Sequence, residues 1–193
     1  MERSAPAAPD DANAERALIQ SAAAGDERAF RGLVERHQAQ AFALAFRMLR
    51  SASEAEDATQ EAFVRAWSAL PRFRGEARFG TWLHAIVART AIDRAARMKR
   101  RRERETGMDA LDHLPAPHEH DADARLAGLR LERLMDELSA PQRAAVALFY
   151  YESRSVEEIA GILGMPPGTV MTHLSRARAA LRNGWLREHG DNA

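Results

Sequence analysis

Residues 155–178, SVEEIAGILGMPPGTVMTHLSRAR, carry the side chains best placed to do chemistry. Their spacing describes two short helices around a tight turn. Ser155 caps the first helix with Glu158 reaching back, Ile159, Ala160 and Leu163 share one face, and Gly164 supplies the left-handed residue that ends it. Met165 packs inward, and Pro166 and Pro167 stop the first helix from continuing. A second helix opens near Thr169. Val170, Leu174 and Arg178 recur along it at intervals of four, so Val170 and Leu174 face the partner helix while Thr172, His173, Ser175 and Arg176 point elsewhere. In a helix-turn-helix that outer edge enters the DNA major groove, where Thr, His and Arg reach base edges and phosphates. Two helices of an ordinary bundle would give the same pattern, and the pattern alone leaves both readings open.

Charge marks a second candidate. The chain of 193 residues has 28 basic and 28 acidic side chains, but they are not evenly spread. From Arg72 to Arg104 there are 11 Lys or Arg against 3 Asp or Glu, and from Glu105 to Pro141 there are 3 against 9. The basic block suits a phosphate backbone. With no cysteine, disulfides, zinc ribbons and thiol catalysis are excluded. His113, His118 and His120 lie among acids, a mixture that binds transition metals. No helix or strand is there to hold them, so no metal site and no cofactor is expected. No Ser-His-Asp arrangement, phosphate-binding glycine loop or HExxH motif appears, and the chain is not expected to be an enzyme. His37 sits inside an apolar stripe and reads as packed rather than catalytic.

Stepping along the chain, strand signals are nearly absent, and the spacing predicts an all-α fold of two small helical domains joined by a flexible linker. Residues 1–13 are polar without a hydrophobic segment behind them and read as a disordered leader rather than a secretory signal. No apolar run approaches the roughly 20 residues that span a bilayer, so membrane insertion is not expected and the cytoplasm is the default location. A first helix is expected over Ala14–Ala24. A second starts at Asp26 and carries Phe30, Leu33, Val34, His37, Ala41, Leu44, Ala45 and Met48. A third is capped by Ser53 with Glu56 and runs to about Leu70, with Thr59, Phe63 and Ala66 buried. The loop PRFRGEARFG follows. Thr81 then caps a fourth helix whose Leu83, Ile86, Val87 and Thr90 face inward and which ends in Arg97, Lys99, Arg100, Arg101, Arg102 and Arg104. The acidic stretch 105–124 reads as the linker. Helical pattern resumes at Leu126, Leu129, Leu134 and Leu138, and Ser139, Pro141 and Gln142 start a helix carrying Ala145, Val146 and Phe149.

In this order the segments GDERAFRGLVERH, SEAEDATQEAFVRAW, FRGEARFGTWL and ELSAPQRAAVALFYYE, with the helix-turn-helix and LSRARAAL behind them, resemble the extracytoplasmic-function sigma factors. These are bacterial transcription initiation subunits of two helical domains. The resemblance covers about Gly25–Arg104 and Leu131–Arg182. It implies a region 2 domain over 14–104, a region 4 domain over 125–187 and a tail over 188–193.

The resemblance also implies roles for residues. Asp57, Gln60 and Glu61, at i, i+3 and i+4 on one helix face, would dock on core RNA polymerase, although the pattern by itself describes a solvated acidic face. Arg72, Phe73, Arg74, Arg78, Phe79 and Trp82, with Arg89, Arg97, Arg100 and Arg101, would open and hold the minus 10 element of promoter DNA. In that role arginines track the backbone and rings lie beside an unstacked base. A core position for Phe79 and Trp82 is the alternative. Thr169, Thr172, His173 and Arg176 would read the minus 35 element. An anti-sigma partner is implied as well. The chain departs from the family's usual residues at Ala88, Arg89 and Met171, positions that bear on base preference. An autonomous DNA-binding regulator would use only the helix-turn-helix and leaves the acidic face and the arginine-rich loop without a role.

Overall fold

The computed structural model describes the backbone of residues 9–104, 131 and 133–190. The expected linker at 105–124, with its histidines, and Leu126 and Leu129 lie outside the described residues. Among those described there are helices and no strand, as the sequence pattern predicts.

Helix α1 spans Pro9–Ala23 and takes in residues 9–13, which the sequence suggested as leader. Proline is compatible with a helix's first turn, where its missing N–H has no partner to lose. Gly25, at φ +100°, turns the chain, and Asp26 caps α2 (Glu27–Leu49) by accepting from the backbone N–H groups of Arg28 (2.8 Å) and Ala29 (3.2 Å). The cap on α3 (Ala52–Ala69) differs from expectation. Ser51, not Ser53, accepts from the Glu54 N–H. Arg50 closes α2 in the left-handed region (φ 58°), which leaves Ser51 as the extended residue an N-cap requires.

A 3₁₀ turn at Leu70–Arg72 and a loop bent at Gly75 (φ +71°) lead to α4, Phe79–Arg104. Thr81, expected as its cap, lies inside the helix. Trp82 N–H already donates to the Arg78 carbonyl at 3.1 Å, because the fully buried Phe79 ring anchors the first turn in the core. Helices α2, α3 and α4 pack on one another, with α1 against α2. Leu33, Leu44 and Leu83 have no exposure, and each contributes about 1.5–3 kcal/mol by burial. Between them the seams are lined by Ala41, Ala45, Ala55, Ala58, Ala62, Ala66, Ala88 and Ala91, all fully buried. Small side chains let the helices approach closely, so an added methylene there costs about 1–3 kcal/mol.

The second half begins with helical backbone at 133–136, followed by α5 (Ala140–Val146). The Ser139 N–H donates to Gln142 Oε1 at 2.8 Å, the reaching-back half of a capping box. Helix α5 then widens into a π-helical turn over Ala147–Tyr151, in which the Glu152 N–H reaches the Ala147 carbonyl. The wider turn shifts the phase: Leu148 is buried and Phe149 is 37% exposed. Helix α6 (Val156–Leu163) has the predicted capping box, Ser155 N–H to Glu158 Oε2 at 2.8 Å and Glu158 N–H to Ser155 Oγ at 3.1 Å, and ends at Gly164 (φ 64°). Helix α7 (Pro167–Gly190) opens at Pro167, ahead of Thr169, and runs into the stretch expected as tail. Val170, Leu174 and Ala177 bury its inner face, and Gly184 lets the Leu134 side chain lie against its backbone. The two halves touch. Helix α5 packs on α2 and α4, and α6 packs on α4.

Candidate nucleic-acid interface

On α3, Asp57 and Gln60 are exposed and Glu61 is half-buried, on the one face their spacing requires. Sequence reasoning did not show how many arginines meet that face. Arg94 of α4 grips both Glu54 and Asp57, and Glu61 lies 2.6 Å from Arg65, 3.6 Å from Arg97 and 4.0 Å from Arg94. Desolvation pulls the Arg94 pKa down, but its bonds to Glu54 and the charges of Glu54 and Asp57 outweigh it and hold the guanidinium above its ordinary value. The face is a charge lattice with Asp57 and Gln60 as its solvent rim. Glu54 had no signal beyond its place one turn before Ala58 and Asp57.

Along the far part of α4, Arg97, Lys99, Arg100 and Arg101 are exposed. Arg97 and Arg100 border a shallow groove with Arg65 and Asp93. The helix backbone continues through this basic run to Arg104.

The loop before α4 divides its residues by burial. Arg72, Arg74 and Arg78 are exposed, and Arg74 lies 3.8 Å from Glu76, an ion pair in open solvent that contributes little. Phe73 and Trp82 are half-buried with ring centroids 5.0 Å apart. Phe79 is the hub beneath them, 6.1 Å from Phe73 and 5.6 Å from Trp82, and is 1% exposed. It therefore offers no face to a base, and the core reading holds for it. Trp82 keeps an accessible edge. His37 supports the hub from below: its ring lies 5.1 Å from Phe79, its Nε2 is 2.7 Å from Glu15 Oε1 on α1, and a Cβ on Gly80 would sit 3.4 Å from its Cε1. The packed role expected of His37 is thus specific to this loop.

Arg89, grouped with these residues from sequence, points to the other half of the molecule. Its Nε and Nη2 donate to the carbonyls of Ile162 (3.0 Å) and Gly161 (2.9 Å) at the end of α6. Nearby, Arg154 donates to Thr81 Oγ1 at 2.9 Å, and His84 Nδ1 lies 2.5 Å from Glu152 Oε2, the imidazole buried and the carboxylate half-buried. Burial by itself raises the Glu152 carboxyl. The adjoining His84, then Arg47 and Arg154, more than offset this and hold it below its ordinary range.

On α7, Thr169, Thr172 and Arg176 are exposed, His173 is half-buried, and Met171 stands out at 60% exposure. The Thr172 hydroxyl donates to the Gly168 carbonyl at 2.9 Å, which fixes its rotamer and leaves its lone pairs outward. Val170 and Leu174 are on the opposite, buried side. The structure therefore groups Thr169, Thr172, His173 and Arg176 on one helix edge, as a groove-reading surface requires.

Comparison with known proteins finds two family domains along the chain. Residues 33–102 match the family described as sigma-70 region 2, and residues 128–181 match sigma-70 region 4. The chain is 35% identical over 173 residues to the RNA polymerase sigma-H factor of Pseudomonas aeruginosa, covering 85% of this chain and 90% of that one. It is 33% identical to the ECF RNA polymerase sigma factor SigW of Bacillus subtilis, covering 82% and 89%. Among solved structures, CnrH in complex with the cytosolic domain of CnrY superposes with a TM-score of 0.59 at 27% identity, over 88% of this chain and 96% of that one. The sigma factor RpoE of Bartonella quintana, crystallised with the anti-sigma factor NepR, gives 0.64 at 22% identity over 81% and 96%.

Proposed function

The chain belongs to the extracytoplasmic-function sigma factors, which partner RNA polymerase in promoter-directed initiation, and from that premise we propose a role for each half. The N-terminal half docks on core polymerase through the α3 rim of Asp57, Gln60 and Glu61. The loop residues Arg72, Arg74 and Arg78, with Phe73 and the accessible edge of Trp82, receive the minus 10 strand as it unpairs. Phe79 acts beneath them as their support. Arg97, Arg100 and Arg101 hold the adjoining duplex by its phosphates, a contact that positions without reading sequence. Arg89 reaches the same DNA once it is free of α6. The C-terminal half reads the minus 35 element through Thr169, Thr172, His173 and Arg176.

The observation that carries this reading is the pairing of surfaces on α7. The buried Val170 and Leu174 fix the helix's rotation, and that rotation presents Thr169, Thr172 and Arg176 to solvent together. No catalytic chemistry is assigned: specificity is exerted through polymerase. An anti-sigma protein is proposed as a further partner, and the complexes in which CnrH and RpoE were solved support it. Among the described residues no helix is long and apolar enough to cross a membrane, and the proposed site of action is with polymerase in the cytoplasm. Footprinting of the holoenzyme on promoter fragments tests the division of labour. Arg176→Ala should weaken protection upstream while leaving minus 10 opening intact on a template with a consensus-strength minus 10; equal loss at both elements would overturn it.

A further inference from the structure

The aromatic ledge before α4, formed by Phe73 and the edge of Trp82, does not rest on α4 alone. Beneath it Phe79 meets the His37 imidazole of α2, with 5.1 Å between ring centroids and 57° between planes, and the imidazole is held in turn by Glu15 of α1, whose Oε1 lies 2.7 Å from Nε2. Three helices therefore converge on one ring. Among the described residues the buried Nδ1 of that ring has no hydrogen-bond partner, so the bond to Glu15 is the polar contact that fixes its rotation. Without it both nitrogens would carry their desolvation cost uncompensated. The first turn of α4 closes over the other side: a Cβ on Gly80 would already touch Cε1 at 3.4 Å and Nδ1 at 3.5 Å.

Helix α1 is itself firmly seated. Ala22 is buried, Leu18 and Ile19 pack on the core, and a Cβ on Gly32 of α2 would touch both Leu18 methyl groups at 3.4 Å. The same helix packs against the 3₁₀ turn at Leu70–Arg72, from which the loop departs. It thus meets the loop at both ends, directly where the loop begins and through His37 where the chain enters α4. Rings in a close-packed interior cannot shift independently. The imidazole sets the height of Phe79, and Phe79 sets the tilt of Trp82 at 5.6 Å and of Phe73 at 6.1 Å.

We propose that α1 braces the strand-receiving ledge, with Glu15 and His37 as positioning residues for promoter opening. Neither is a DNA contact: the His37 side chain is 12% exposed, and the Glu15 carboxylate is engaged with it. The inference rests on the minus 10 reading of the loop for what is positioned, but the brace is a property of the free chain. Were the pair only a staple between α1 and α2, its loss would lower stability and every activity in parallel.

Trp82 reports on the ledge once Trp67→Phe and Trp185→Phe leave it as the sole tryptophan. In the free full-length chain Glu15→Ala should shift Trp82 emission to the red and raise its quenching by acrylamide. Glu15→Gln, which keeps an oxygen acceptor, should match the parent, as should Arg16→Ala at an exposed neighbouring position of α1. In holoenzyme, Glu15→Ala should leave duplex promoter binding unchanged. It should lower permanganate reactivity of the minus 10 strand by about three- to tenfold, the loss of one charge-assisted hydrogen bond discounted for partial exposure. His37→Phe keeps a ring against Phe79 but cannot bond to Glu15. It should reproduce that loss, and adding Glu15→Ala to it should cost nothing more. Circular dichroism checks the fold, and should Glu15→Ala unfold the chain, His37→Phe decides. Unchanged Trp82 signals, binding and opening that fall together, or failure of Glu15→Gln to restore opening would overturn the brace. If Trp82 responds as described, yet even the wild-type holoenzyme opens no promoter, the brace stands and the minus 10 reading of the loop fails.

Discussion

Arg94 on α4 grips Asp57 on α3, and the same guanidinium bonds to Glu54. An acid offered to polymerase is therefore already partly neutralised from within, so the docking surface is set by geometry as much as by net charge. Removing Arg94 has two expected effects. Arg94→Ala should cost about 1 kcal/mol of stability, kept low because solvent reaches much of the cluster. It should also alter polymerase affinity by letting Asp57 and Glu61 reorient. Denaturant melts and a competition assay for core polymerase separate the two.

Charge reversal of the rim itself makes the sharper prediction. Asp57→Lys with Glu61→Lys should abolish holoenzyme assembly on gel filtration while far-ultraviolet dichroism stays helical, since Asp57 is exposed and Glu61 half-exposed. Normal assembly would remove the docking role from this face.

The basic end of α4 should act through counterion release. Arg100→Ala with Arg101→Ala removes exposed cations. It should weaken promoter binding across sequences and lower the slope of log affinity against log salt by about 2. An unchanged slope would mean that neither arginine meets a phosphate.

Phe79 and Trp82 should separate stability from DNA opening. Phe79 is 1% exposed, so Phe79→Ala should cost about 3–5 kcal/mol and disorder the loop with it. Trp82→Ala should cost less in a thermal melt and more in permanganate reactivity of the opened strand. Parallel losses in both assays would show that Trp82 is core alone.

Acid should reveal the Glu152 contact. The carboxyl is held below its ordinary 4.5 by His84, Arg47 and Arg154 against the opposing effect of burial. A depressed carboxylate contributes stability above its ordinary value and loses it as pH falls through the lowered one. The melting-temperature difference between wild type and Glu152→Gln should therefore be largest above 4.5 and shrink as pH falls below it. A difference independent of acid would place Glu152 outside that charge balance.

What could be read from the chain before folding was local. The caps at Asp26 and at Ser155 with Glu158, the turn at Gly164 and the inward Val170 and Leu174 all follow from neighbours within one or two helical turns. The misplacements have local causes too: Ser51 displaced Ser53 because Arg50 took the left-handed position, and the buried Phe79 started α4 ahead of Thr81. The π turn at Ala147–Tyr151 leaves no periodic trace, so spacing alone gives no side for Phe149. The contacts that tie Arg89 to the end of α6 join residues 72 and 73 positions apart. No spacing rule reaches that far, and a residue's type alone cannot say which hydrogen-bond acceptor it meets.

The most direct test of the central claim is initiation itself: purified full-length chain, core RNA polymerase and genomic fragments, with transcript start sites sequenced. The account predicts starts at a discrete promoter set sharing elements near minus 35 and minus 10, lost with Asp57→Lys and Glu61→Lys. Absence of any start above the level of core enzyme alone would contradict it.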